Sequence, residues 1–131
     1  MLEGGCHCGA IRYRVSGPHQ HVSFCHCRDC RRCAGAPLVA WSAFATENFE
    51  LLAGEPALYR SSPNARRYFC PVCGSGMYYV NETVMPGLVD IQIATLDDPE
   101  ALRPQLHVQV AERLSWMRDI DGLPHCDRFP A

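Results

Sequence analysis

The sequence lacks long apolar runs, lacks a surplus of charge and has little helical periodicity. Each lack excludes a class of protein. Its longest apolar stretches, such as "LVAW" at 38–41, fall far short of the roughly 20 residues a membrane-spanning helix needs, so no membrane partner is expected. The formal net charge is −2 and the pI about 6.3. Nothing in that balance gathers phosphate backbones, so nucleic acid is not an expected partner either. The opening "MLEGGCHCGA" has no basic region followed by an apolar one, which argues against a signal peptide. No internal repeat, low-complexity tract or dividing linker is present. The 131 residues suit one domain. With 47% hydrophobic and 20% charged residues, the composition is that of a soluble protein with a modest core.

Cysteine is abundant, at nine residues. A secreted disulfide scaffold would normally carry an even number and an export signal. With neither, the expectation is a cytoplasmic protein whose clustered cysteines are metal ligands. The clusters are Cys6-x-Cys8, Cys25-x-Cys27-x-x-Cys30 and Cys70-x-x-Cys73, with Cys33 and Cys126 left over.

Between the cysteines the pattern is mainly β. Strands are expected over 10–17, where Ile11, Tyr13 and Val15 alternate with Arg12, Arg14 and Ser16, and over 21–25 and 38–45. Others fall at 49–54, 57–61, 66–70, 77–80, 88–95 and 105–111, with turn signals such as "AGEP", "SSPN" and "MPG" between them. Many short strands suggest a sandwich or a partly open barrel. Helix is expected only as a turn or two within "CRDCRRCAG", closed by Gly35, and as a short turn at 97–102.

"FCPVCGSG" reads as a zinc knuckle, and a knuckle supplies only two of four ligands. "GCHCG", flanked by Gly4, Gly5 and Gly9, is the natural source of the other two. The expected closed site is Cys6, Cys8, Cys70 and Cys73. Four free buried cysteines are the weaker alternative, because the pairs and their glycines are too regular. The second cluster differs. Cys25 and Cys27 point the same way from a strand end, and Cys27 and Cys30 are neighbours if the turn is helical. That makes a tripod of three sulfurs with an open fourth position, the arrangement of a catalytic zinc. Cys33, three residues on, could close it with a fourth sulfur. On residues alone, the open and closed forms stand level. The spacing is not that of a ferredoxin iron–sulfur site.

"GGCHCGAIRY", "CHCRDCRRCAGAP", "FCPVCGSGMYY" and the tail from "TLDDPEAL" to "GLPHC" together resemble the glutathione-dependent formaldehyde-activating enzyme family, the CENP-V/GFA domain. The likeness spans residues 2–126, leaving 127–131 as a tail. It implies an all-β zinc-binding "β-tent" of short antiparallel strands. It also implies a structural zinc at Cys6, Cys8, Cys70 and Cys73, and a catalytic zinc at Cys25, Cys27 and Cys30. The implied activity is carbon–sulfur lyase chemistry on the adduct of glutathione and formaldehyde, S-hydroxymethylglutathione. Cys33 and Cys126 depart from the family's usual pattern.

A proton shuttle is needed for such chemistry, and His26 is the first candidate. Strand alternation points it away from Cys25 and Cys27, which favours a packing role instead. Arg28, Arg31 and Arg32 could hold substrate carboxylates, or form a solvated helix face with Asp29. His107 and Trp116 read as structural. Two functions follow. One is a zinc-dependent lyase acting on a small thiol adduct. The other is a non-catalytic interaction module with both zincs structural. The acidic balance and the lack of basic segments favour the enzyme.

Overall fold

The alternating stretches do form strands, and the strands form two sheets. In the computed structural model, which describes residues 1–130, they are β1 (Leu2–Gly5), β2 (Arg12–Val15), β3 (His19–Cys25), β4 (Val39–Ala45), β5 (Phe49–Ala53), β6 (Ala57–Ser62), β7 (Ala65–Phe69), β8 (Gly76–Val80), β9 (Leu88–Gln92) and β10 (Leu106–Val108). The smaller sheet has the order β1-β2-β5, and the larger runs β10-β3-β4-β9-β8-β7-β6. One helix, α1 (Arg28–Ala34), lies between β3 and β4. Among the described residues, no helix is long and apolar enough to cross a membrane.

Side-chain alternation divides the larger sheet into two working faces. On one face Val22, Phe44, Val89, Ile91 and Tyr78 join Tyr13 and Val15 of the smaller sheet, and Ile11 just before β2, in the main core. The other face carries Ser23 and Cys25 of β3, Trp41 of β4, Asp90 of β9, Tyr79 of β8 and Arg67 of β7. Register puts Ser23 opposite Trp41, Asp90 opposite Tyr79 and Tyr79 opposite Arg67. Cys25, Cys30, Val39 and Trp41 make a second, smaller cluster there. On β2, Tyr13 and Val15 are fully buried, while Arg12 and Arg14 reach outward to Asp97, Glu3 and Glu50.

Four expectations need correction. β1 was not foreseen because "LEGG" carries two glycines, which weaken strand patterns. Gly4 is there because a Cβ would meet the Tyr13 hydroxyl at 2.7 Å and the Thr95 carbonyl at 2.6 Å. The strands are not all antiparallel: β10 runs parallel to β3, Leu106 facing Ser23 and Val108 facing Cys25. The stretch after Gln92 provides the crossover that a parallel pair requires. The strand expected over 88–95 ends at Gln92, where Thr95 Oγ1 donates to the Gln92 carbonyl at 2.7 Å and the chain tightens into a 3-10 turn. Residues 97–102 form a turn and no helix, with Asp98 accepting from the Glu100 amide at 3.1 Å.

Candidate metal centres and the cavity of the second

Two knuckles of nearly equal design bring the first cysteine group together. The Cys6 amide donates to the Ile11 carbonyl at 3.1 Å and the Cys70 amide to the Ser75 carbonyl at 2.9 Å. Gly9, with φ 83°, closes one turn on the Cys6 carbonyl, and Gly74, with φ 82°, closes the other on that of Cys70. Backbone amides point at sulfur in both: Ile11 N lies 3.2 Å from Cys6 Sγ, and Val72 N 3.4 Å from Cys70 Sγ. Ser75 links the halves, its hydroxyl accepting from the His7 amide at 3.0 Å and sitting 3.2 Å from Cys73 Sγ. That hydroxyl pulls the Cys73 thiol down to about 5. The sulfurs of Cys6, Cys8, Cys70 and Cys73 all lie within 4.8 Å of one another and could hold a metal ion.

The second group, Cys25, Cys27 and Cys30, meets the same distance criterion. Cys25 ends β3, and Cys27 caps α1 by accepting from the Cys30 amide at 3.2 Å. The helix is held at its far end by Gly35, whose amide returns to the Arg31 carbonyl at 2.7 Å. Strand end and first helical turn therefore aim three sulfurs at one point. The hydrogen bond between Cys25 and Cys30 holds the Cys25 thiol down and pushes Cys30 up. Burial raises the Cys27 thiol.

The three sulfurs line a cavity of about 480 Å³. Its walls are Trp41, Tyr79, Met85 and Val108, with Asp29 and Glu112 among its polar lining. Several polar residues of this cavity were not foreseen. Arg67 spreads over the Tyr79 ring, 5.0 Å from its centroid, is fixed by a 3.0 Å bond to Ser61 Oγ, and brings two guanidinium nitrogens to 3.9 Å from Cys30 Sγ. His21 and Asp90 also line it, with His21 Nε2 3.1 Å from Asp90 Oδ1. Asp90 raises the His21 imidazole. Burial raises the Asp90 carboxyl, with His21 opposing. The signal was present in "HVSFC", where His21, Ser23 and Cys25 alternate, and in "LVDIQ", where a charge interrupts an apolar strand.

His26 lies elsewhere. It has no exposed surface, and its Nε2 sits 2.8 Å from Nδ1 of His107, which stacks on Phe24. Both histidines line a different cavity, on the side away from the three sulfurs. Burial lowers His26, and Arg113 and His107 add to the effect. Trp116, expected to be structural, is 60% exposed. Cys33 is exposed and stands outside both sulfur groups, lining a neighbouring cavity with Arg32. Cys126 is exposed as well. Of the helix charges, Arg31 folds back onto the His26 carbonyl at 3.2 Å, and Arg28 gives its backbone amide to Glu112 at 2.9 Å.

Two sheets, a pair of glycine-turned knuckles and a separate three-sulfur cavity define a β protein with two candidate metal centres. The chain belongs to the glutathione-dependent formaldehyde-activating enzyme family, whose sequence pattern matches residues 1–112. It is 30% identical over 128 residues to a Halomonas elongata protein named "Putative glutathione-dependent formaldehyde-activating enzyme", covering 89% of this chain and 80% of that one. Over 78 residues it is 35% identical to an uncharacterized lyase of Schizosaccharomyces pombe, covering 59% of this chain and 56% of the relative. A crystal structure of a Rhodobacter sphaeroides protein superimposes with a TM-score of 0.67 at 22% identity, covering 82% of this chain and all of the other, a likeness of fold.

Proposed function

We propose that this chain is a zinc-dependent carbon–sulfur lyase acting on the hydroxymethyl adduct of a small thiol, with glutathione and formaldehyde as the thiol and carbonyl. The family, with relatives named for formaldehyde activation and lyase activity, supports an enzymatic role. The donor sets suit zinc. A tetrahedral site with Zn–S bonds near 2.3 Å places its sulfurs about 3.8 Å apart. Cys6 and Cys8 Sγ are 3.6 Å apart, and Cys8 and Cys70 Sγ 3.8 Å. Cys6, Cys8, Cys70 and Cys73 would hold a structural ion. Cys25, Cys27 and Cys30 would hold a catalytic one.

A zinc ion in the second site would supply Lewis acidity and favour the thiolate form of a substrate sulfur. The chain supplies the rest. Trp41 and Tyr79 give an apolar wall that keeps water from the reacting carbon. Arg67 offsets the negative charge that gathers when a substrate thiolate joins three protein sulfurs. Asp29 and Glu112 at the cavity leave Arg67 as its cation for a substrate carboxylate. The observation that carries the reading is the open side of the three-sulfur group. Among the described residues no fourth cysteine joins it, and a cavity stands in that place.

The test is exchange between glutathione, isotopically labelled formaldehyde and their adduct, followed by magnetic resonance. A small amount of zinc-loaded protein should accelerate exchange well above the spontaneous rate. Two zinc ions per chain with no acceleration for glutathione or other small thiols would overturn the lyase and favour an interaction module.

A further inference from the structure

The proposed reaction needs a group that takes a proton from the hydroxyl of the adduct and returns it, and His26 faces the wrong cavity to do so. The three-sulfur cavity holds a polar assembly with no other assigned role. Asp90 sits in the middle of β9, only 7% exposed, between the apolar Val89 and Ile91. A carboxyl in mid-sheet is costly to bury without partners. Its Oδ1 faces His21 Nε2 at 3.1 Å. Apart from that His21 contact, Oδ1 has no hydrogen-bond partner among the described residues, and the group lines the cavity.

His21 is itself held on three sides. Its Nδ1 lies 3.0 Å from Ser23 Oγ, its backbone carbonyl accepts from Ser42 Oγ at 2.6 Å, and its Nε2 meets Asp90. The register between β3 and β4 shifts between His19 and Val22, a bulge that gives the strand an extra residue where His21 must turn toward the cavity. Ser23 and Cys25 follow at alternate positions on the same face. A buried carboxyl, an imidazole and a hydroxyl thus lead along one strand into the sulfur site.

We propose that Asp90 is the catalytic acid–base of this cavity and that His21, fixed by Ser23, is its positioning residue. The proposal rests on the lyase reading. In the cleavage direction the adduct hydroxyl donates to the Asp90 carboxylate. The O–H pair becomes the second C–O bond of formaldehyde, and the C–S bond breaks with its electron pair left on sulfur. Asp90 then returns the proton to the departing thiolate. The sum is adduct to thiol plus formaldehyde, with no oxidation or reduction. Addition is the reverse. His21 faces the carboxyl from β3 and Tyr79 lies opposite Asp90 on β8, while Arg67, Asp29 and Glu112 line the same cavity.

The experiment compares wild type, Asp90→Asn and His21→Gln in the exchange assay, with zinc content measured on each. Asp90→Asn should keep both zincs and lose about 100-fold or more in rate, as general acid–base groups do. His21→Gln should lose less, about 10-fold, and shift the pH profile. An Asp90→Asn protein within twofold of wild type overturns the proposal. A second readout does not need turnover. Wild type should bind mercaptoethanol about 10-fold more tightly than ethanethiol, because the hydroxyl finds Asp90, and Asp90→Asn should lose that preference. If wild type does not accelerate exchange, the lyase reading falls. In that case the acid–base proposal falls with it, and an Asp90-dependent hydroxyl preference would leave Asp90 as the hydroxyl-binding group of the cavity alone. If Asp90→Asn fails to fold, Asp90→Glu replaces it: a reduced but measurable rate with the hydroxyl preference kept supports the carboxyl as the acid–base, and a rate within twofold of wild type or a lost preference overturns it.

Discussion

Two cysteine groups of the same element of chemistry sit in this chain, and their surroundings differ. In the first group Cys6 and Cys70 are buried and receive backbone amides at their sulfurs, while Cys8 and Cys73 lie at the surface. Two turns closed by Gly9 and Gly74 aim amides at the sulfurs, and Ser75 bridges the halves. Cys25, Cys27 and Cys30 have one such amide, a guanidinium 3.9 Å away and a cavity where the first group has a fourth cysteine. Four sulfurs would fill a tetrahedral site and leave no position for a further ligand. A side left to a cavity exposes the metal to exchange. Under the proposed function the first group would be the structural site and the second the catalytic one.

The sharpest way to break the comparison is to remove one sulfur from each group. Cys70 has no exposed surface and belongs to the main core as well as to the first group. Cys70→Ser should lose that metal and several kcal/mol of stability, since a site joining segments so far apart is part of folding. It should be insoluble or melt far below wild type. A Cys70→Ser protein with unchanged thermal denaturation and two zincs would show that the first group is not structural.

Cys27→Ser comes next. The second group belongs to the smaller cluster with Val39 and Trp41, outside the main core, so its loss should spare that core. A folded protein with one zinc and no exchange activity is expected, checked by elemental analysis beside circular dichroism. Global unfolding would mean that both groups are scaffold and that the contrast between them is empty.

The fold was legible where alternation was strict. Tyr13 and Val15, or Val89 and Ile91, announce strands because one face is buried and the other is not. β1 was hidden because its glycines serve close approach to Tyr13, a tertiary demand that no local pattern carries. The parallel β10 was hidden because pairing direction depends on where a distant segment returns. The cysteine groups were legible because metal ligation needs short spacings. Arg67, His21 and Asp90 were not. They come from three different strands and meet only through sheet register. His26 was the first proton-shuttle candidate by proximity, with strand alternation already turning it from Cys25 and Cys27, and it lines the cavity of His107.

Arg67 sharpens the comparison from the other side, since the first group has no such cation. Arg67→Met keeps the stem over Tyr79 and removes the charge. A cation beside sulfur favours thiolate, so its loss raises the pKa of a bound substrate thiol. The rising limb of the activity–pH curve should move to higher pH, and affinity for glutathione should fall about 10-fold. Stability should change little. An unshifted curve with unchanged affinity would mean that the guanidinium only packs against the tyrosine.

The smallest expected effect falls on Cys33, where the sequence left the issue level. Cys33 is three residues beyond Cys30 on a helix of seven, so one more turn could have brought it to the metal. It does not, because Cys27 caps the helix and Cys30 already occupies the inward position of the first turn. Cys33 then falls on the exposed side, with Arg32, over the neighbouring cavity. Cys33→Ser should leave both zincs in place, exchange activity within twofold and stability within about 0.5 kcal/mol, as exposed substitutions do. Zinc falling from two ions to one in this variant would mean that the helix rotates on metal binding and closes the site with a fourth sulfur. The two groups would then be alike, and the cavity would no longer mark an active site.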